Sequence, residues 1–168
     1  SIGREAMKVS GVKFVNAHFN ALGEWKLFAS SEGALIEQNI TRLRLFADVN
    51  TETAGQIAVA QVIINRVRSP YYPKDVCGVV YQNARRRNAC QFSFACDGRK
   101  DRVTEPDRYK TAQDIAMAVT AGKIFLPEVA SSTHYYATYV SPRWARTMQK
   151  MKKIGLHIFY RTYGGGWS

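Results

Sequence analysis

Two carboxyl side chains, Asp48 and Glu52, stand four positions apart in the run LFADVNTETAGQIAVAQVIINRVRSP, from Leu45 to Pro70. Asp48 follows Phe46 and Ala47, where one helical pattern stops. Glu52 comes next in a short polar turn, and a stretch rich in Ala, Val and Ile follows it. Breaking a bond to a sugar oxygen needs a carboxyl that is still protonated when it meets the leaving group. Apolar surroundings favour the neutral form of an acid, and so does the negative end of a helix. Asp48 is expected to have both, which makes it the first candidate proton donor and Glu52 the second. An isolated aspartate at such a place is more commonly a cap or turn residue, so the assignment depends on what surrounds it.

The elements that position these groups are readable from spacing. Leu35, Ile36, Ile40, Leu43, Phe46 and Ala47 recur every three or four residues, which predicts an amphipathic helix from Gly33 to near Asp48. Asn50 and Thr51 are turn formers. Gly55 to Val67 is apolar on nearly every face and reads as the buried central helix. Pro70 ends it, because proline disfavours helical geometry in the residue before it. Val76 to Tyr81 suggests a short helix, and residues 85–100 an irregular loop. Thr104 and Pro106 open a further helix that exits at Gly122, with Tyr109, Ala112, Ile115, Ala116 and Val119 on one face. Thr133 to Val140 and Leu156 to Tyr160 are aromatic and β-branched and read as strands. Residues 142–150 between them read as a short helix, and Gly164 to Gly166 as a flexible tail. Residues 1–32 have no clear period and form a lead-in or arm. The division is therefore 1–32 and 33–168, the second part a mostly helical α+β domain with a small antiparallel sheet near its C-terminus.

Four blocks occur in order between about Leu43 and Arg161: GQIAVAQVIINRVRSPYYPKDVCGVVYQ, CQFSFACDG, THYYATYVSPRW and IGLHIFYR. Together they resemble the SleB/CwlJ family of cell-wall hydrolases, the spore-cortex-lytic enzymes and their relatives. The resemblance implies a lysozyme-like, lytic-transglycosylase-like fold. It also implies cleavage of peptidoglycan glycan strands between N-acetylmuramic acid and N-acetylglucosamine, without a cofactor, in the cell envelope. In the family a glutamate ends the first helix and a second follows four residues later. Aligned with one deletion before Gly55, these fall on Asp48 and Glu52. Aspartate at 48 withdraws the acid by about 1.5 Å, and a displacement of that order can cost about a hundredfold in rate. Three readings stay open: Asp48 works in an adjusted site, Glu52 carries the proton, or the chain is weakened. A lytic transglycosylase needs one carboxyl, which protonates the glycosidic oxygen and then takes the C6 hydroxyl proton to leave an anhydro end. A hydrolase needs a second carboxylate to place or replace water.

Gln91 and Ser93 in CQFS resemble the family's cleft-lining segment and could hydrogen-bond sugar hydroxyls or N-acetyl groups. Strand alternation puts Thr133, Tyr135, Ala137 and Tyr139 on one side of THYYATY and His134, Tyr136 and Thr138 on the other. One face must be core. The His134/Tyr136 side is the expected sugar face, with Tyr139 a further candidate. Trp144 either lines a subsite or packs against the sheet. A competing enzyme hypothesis sets His134 and His157 on two pairing strands and joins them to Asp97 as the zinc site of an amidase. It lacks the tight spacing of HExxH. A third reading is a wall-binding protein that does not cut.

The chain has 168 residues, with 46% apolar and 22% charged, a globular composition long enough for one domain with a core. No uninterrupted apolar run reaches the roughly 18 residues of a membrane span, and no signal-like segment opens the chain. Ser1 in place of a start methionine suggests a processed or trimmed form. The net charge of +11, from 24 basic and 13 acidic residues, favours a polyanionic partner. The densest basic clusters are Arg85-Arg86-Arg87 and Lys150, Lys152 and Lys153, and no nucleic-acid-binding motif accompanies them. Peptidoglycan is the expected partner and nucleic acid is not. A regulatory protein that restrains a lytic activity is compatible with the sequence, and a monomer is expected. The three cysteines, Cys77, Cys90 and Cys96, fit no disulfide scaffold. One bond, Cys90–Cys96 or Cys77–Cys96, and small buried thiols are equally open.

Overall fold

The computed structural model describes residues 33–80, 82, 106–120 and 122–165. The proposed lead-in, Gln91, Ser93, Asp97, Cys90, Cys96 and the Arg85 triplet lie outside the described residues, as does the side chain of Cys77.

Helix α1 spans Gly33–Val49 and α2 spans Thr51–Arg68. A one-turn α3 covers Val76–Val80, and α4 covers Pro106–Thr120. Strand β1 (His134–Ala137) is followed by a 3-10 turn at Arg143–Thr147, then β2 (Gln149–Ile154) and β3 (His157–Arg161). The three strands form one antiparallel sheet in the order β1-β3-β2. The architecture is α+β, as the sequence predicts.

α2 is the axis of the molecule. Every residue from Gly55 to Arg66 is buried, which fits its apolar composition. One side, with Ala58, Val59, Val62 and Ile63, packs on Tyr135, Ile154 and Phe159 of the sheet. The other side, with Ile57, Ala60 and Ile64, packs on Ile40 and Leu43 of α1 and on Ile115, Ala118 and Val119 of α4. Fully burying each Val or Ile contributes about 1.5–3 kcal/mol, so α2 is the shared wall of both halves of the core. Polar ties join α1 to α4: Asn39 donates to Asp114 at 3.3 Å, and Arg42 lies 3.9 Å from the same carboxylate.

Two elements differ from expectation. Residues 149–154 (QKMKKI) form a strand, of which the sequence reading places 149–150 in the short helix; the helical turn itself is confined to Arg143–Thr147. Gly155 supplies the positive φ of 58° at the first of two linking positions, the pattern of a tight hairpin turn. Pairing with β3 then overrides weak intrinsic strand preference. The tail is not uniformly irregular either, because Tyr163–Gly165 forms a 3-10 turn, with Gly164 at φ 80°.

Candidate active site

The candidate acids lie at the α1–α2 junction. Asn50 alone separates the two helices. Its N–H donates to the Phe46 carbonyl at 2.8 Å and closes α1. Its own carbonyl accepts from Ala54 at 3.1 Å and opens α2. Its side-chain oxygen accepts from the N–H groups of Glu52 and Thr53 at 2.9 and 3.2 Å. This is N-capping by the residue type that does it best. Glu52 is therefore not in a turn, as expected from sequence, but in the first turn of α2. Its side chain is half-buried.

Asp48 is in the last turn of α1 and exposed. Among the described residues the apolar shelter anticipated around it is absent: Phe46 is 50% exposed and Val49 84%. The cause is helical geometry. The inward stripe of α1 is Ile40, Leu43 and Ala47, and at ~100° per residue Phe46 and Asp48 fall to either side of it.

Of the other carboxylates whose side chains are described, Glu128 is exposed and two are committed to the scaffold. Asp75 accepts from the Gly78 N–H at 2.6 Å and caps α3, and Asp114 is held by Asn39 and Arg42.

The far end of α2 carries three buried polar residues that apolar periodicity does not reveal. Gln61 donates to the carbonyls of Leu126 and Ala130 at 3.1 and 2.9 Å and accepts from the Leu126 N–H at 2.8 Å. Asn65 donates to the carbonyls of Ala130 and Ser132 at 2.9 and 2.8 Å. Arg66, 2% exposed, donates through Nε to the Thr133 carbonyl at 2.8 Å, and its guanidinium lies 4.8 Å from the Tyr72 ring centre. Together they clamp residues 126–133, the segment that delivers β1. Ala130, at φ 44°, is the one described non-glycine residue with positive φ. It is held there while its carbonyl takes two of the clamp bonds.

β1 separates its faces as alternation requires. Tyr135 and Ala137 are buried at 1% and 0%, while His134 and Tyr136 are half-buried. The register sets His134 opposite Tyr160 and Tyr136 opposite Ile158. On this outer face four rings gather. Tyr136 stacks on Tyr160 at 5.3 Å, with their hydroxyls 2.9 Å apart. Trp144 packs against His134, Tyr136 and Tyr160 at 5.0, 5.7 and 5.6 Å. Burial, with help from the Tyr136 hydroxyl, pushes the Tyr160 phenol up to about 12. Burial, and secondarily the charge of Arg66, pulls His134 down to about 4. Both groups are neutral near pH 7. Thr133 Oγ1 lies 2.9 Å from His134 Nδ1. Tyr139 lies beyond the strand and is 60% exposed.

The structure thus brings His134, Tyr136 and Trp144 into one cluster and places Asp48 and Glu52 together elsewhere. Glu52 is fourteen residues before Arg66 on the same helix, about 21 Å along its axis, and Arg66 is what meets the start of β1. Tyr160 is the member the sequence reading missed. Pairing HYYA with HIFYR in antiparallel register would have put it beside His134.

The histidine pair of the zinc hypothesis does not converge. His157 lies opposite Ala137, three positions from His134 on β1. An odd offset sends the two rings to opposite faces of the sheet. His157 is buried at 1% and packs edge-on to Tyr135. Among the described residues no group of three His, Cys, Asp or Glu side chains could hold a metal ion.

The family model for Cell Wall Hydrolase matches residues 50–160. This chain belongs to the Cell Wall Hydrolase family. The match includes Glu52 and starts two residues after Asp48. The SleB/CwlJ resemblance is borne out by relatives called spore cortex-lytic enzyme. That of Halalkalibacterium halodurans is 30% identical over 105 residues, 62% of this chain and 28% of that enzyme. That of Bacillus cereus is 31% identical over 107 residues, 62% of this chain and 36% of that enzyme. The chain therefore spans about a third of the length of these relatives. The solved catalytic domain of the germination-specific lytic transglycosylase SleB from Bacillus anthracis is 31% identical. It is matched over 64% of this chain and 78% of that one, with a TM-score of 0.49. No described helix is long and apolar enough to cross a membrane.

Proposed function

We propose that residues 33–168 form a unit that cleaves peptidoglycan glycan strands in the cell envelope by carboxyl acid–base chemistry, leaving anhydro-muramic ends. The observation that carries this reading is the family match over residues 50–160, with a carboxyl placed at the head of the buried central helix. Of the two acids, Glu52 has the stronger claim to the proton. It is half-buried and lies inside the matched span, whereas Asp48 is exposed and lies before it. Asp48, on the other side of Asn50, is then the second carboxyl.

The outer sheet face is the sugar platform in this reading. Rings of His134, Tyr136 and Trp144, half-buried and backed by the buried Tyr160, present apolar C–H and π surface of the kind that stacks on pyranose rings, and the neutral His134 and the Tyr136 hydroxyl add hydrogen-bonding groups. Tyr139, Gln91 and Ser93 complete the proposed binding set. The platform is on the face of the sheet turned away from α2, so a bound strand reaches it away from the cutting point. It therefore holds the strand and does not act on the scissile bond.

The test is mass spectrometry of fragments released from purified peptidoglycan by the wild type and by Glu52→Gln, Asp48→Asn and Asp48→Glu. Anhydro-muropeptides that disappear only with Glu52→Gln are expected. Loss with Asp48→Asn instead would return the proton to Asp48. Free stem peptides would overturn glycan cleavage. Binding to sacculi without any fragments would leave the non-cutting wall-binding protein, the reading that the exposure of Asp48 favours.

A further inference from the structure

Glu128 is the last acidic residue of the chain. From Val129 to Ser168 there are six cations, Arg143, Arg146, Lys150, Lys152, Lys153 and Arg161, and no aspartate or glutamate. The basic residues are no denser here than elsewhere. The uncompensated charge comes from the absence of acids, and the segment is the sheet module itself.

The register shows where two of these cations stand. Lys150 lies opposite Tyr160, which lies opposite His134. Lys153 lies opposite Ile158, which lies opposite Tyr136. Directly opposed residues share a face, so the outer face holds two transverse rows, Lys150–Tyr160–His134 and Lys153–Ile158–Tyr136. Each row has an ammonium group at the β2 edge and a ring on β1. Lys152 is opposite Phe159 and belongs to the other face. The irregularity between Lys150 and Lys152 is what gives Lys150 and Lys153 a common side. All three lysines are exposed, as are Arg143 and Arg146, which flank Trp144.

We propose that this face binds muramic residues that still carry their stem peptides, with Lys150 and Lys153 meeting the peptide carboxylates while the rings hold the sugar. The proposal rests on the glycan reading above and narrows its substrate. Rings on β1 and cations on β2 lie in the same rows two strand spacings apart, ~10 Å. The matching ligand carries its negative charge on a substituent that reaches away from the sugar ring that stacks. A glycan stripped of peptide keeps only the lactyl carboxylate, which sits on the sugar ring itself and short of the lysines, whereas the stem peptide carries its carboxylates farther out. A separate phosphate polymer offers the charge without the ring.

The experiment measures binding and cutting on three preparations: glycan strands with intact stem peptides, the same strands stripped by an amidase, and whole sacculi with or without their phosphate polymers. Wild-type protein should bind peptide-bearing strands about fivefold more tightly than stripped ones, the sum expected of two exposed charge pairs. The preference should shrink in 0.5 M salt, where screening shortens to a few ångströms (~4 Å). In Lys150→Glu/Lys153→Glu, and in the milder Lys150→Gln/Lys153→Gln, the binding ratio should fall to about one. Lys152→Glu, the same charge change on the other face, should keep most of it. No preference in the wild type, equal loss with Lys152→Glu, or binding that follows removal of phosphate polymers and ignores the stem peptides would each overturn the proposal. Preferential binding without fragments would uphold it and overturn the cleavage reading. Anhydro fragments from both strand types, with equal binding, would do the reverse.

Discussion

At the head of α2 one residue, Asn50, closes one helix and opens the next, and the carboxyl groups on either side of it are exposed or half-buried. At the foot of the same helix Gln61, Asn65 and Arg66 are buried at 2–3%, and all three bond main-chain oxygens 65 or more residues away in sequence. The head is built from local rules and leaves its polar groups where a substrate could reach them. The foot is built from tertiary contacts and uses its polar groups to hold another segment. The difference teaches how one helix separates reactivity from positioning. In the proposed reading the carboxyl groups that exchange protons lie near water, while the groups that fix geometry are buried with their partners, where an unpaired oxygen would be costly.

Substitutions at the two ends should therefore fail in different assays. Glu52→Gln should lower fragment release by about a thousandfold, as expected for loss of a general acid, while the melting temperature moves by no more than about 2 °C. A large drop in melting temperature would show that the head is structural too. Asn65→Leu keeps approximate volume but removes the donor to the Ala130 and Ser132 carbonyls. It should cost about 2–3 kcal/mol and lower the melting temperature by about 4–12 °C, read by circular dichroism. An unchanged melting temperature would break the contrast. Asn50→Ala should cost about 1 kcal/mol, the usual worth of an N-cap, in a urea titration. It tests whether the junction is only locally held. A further effect is in pH. His134 is held down to about 4 from an ordinary value of 6.5, so between those values the unfolded chain binds more protons than the folded one. Stability from this source is complete above about pH 6.5 and declines as pH falls toward 4. His134→Gln should flatten that part of the melting profile.

Much of the fold was legible because it follows from spacing. α2 is apolar all round, and the alternation in HYYA separates Tyr135 from His134 and Tyr136. What escaped were features whose partners are remote. Gln61, Asn65 and Arg66 look like interruptions in an apolar helix until residues 126–133 lie against them. β2 has neither the β-branched content nor the alternation of a strand and exists because β3 pairs with it across Gly155. The candidate site was legible in part. The resemblance pointed to the Asp48–Glu52 region, but the exposure of Asp48 depends on its angle around α1, which the spacing of Ile40, Leu43 and Ala47 already contained. Tyr160 needed a strand register that no single strand specifies.

The three exposed lysines of β2 have one more consequence. β2 is an outer strand of the sheet, and a bare outer strand invites another copy to zip onto it. On the proposed anionic meshwork the protein would accumulate at high local concentration, the condition under which such self-association begins. Mutual repulsion between lysine-bearing edges opposes that pairing as copies crowd.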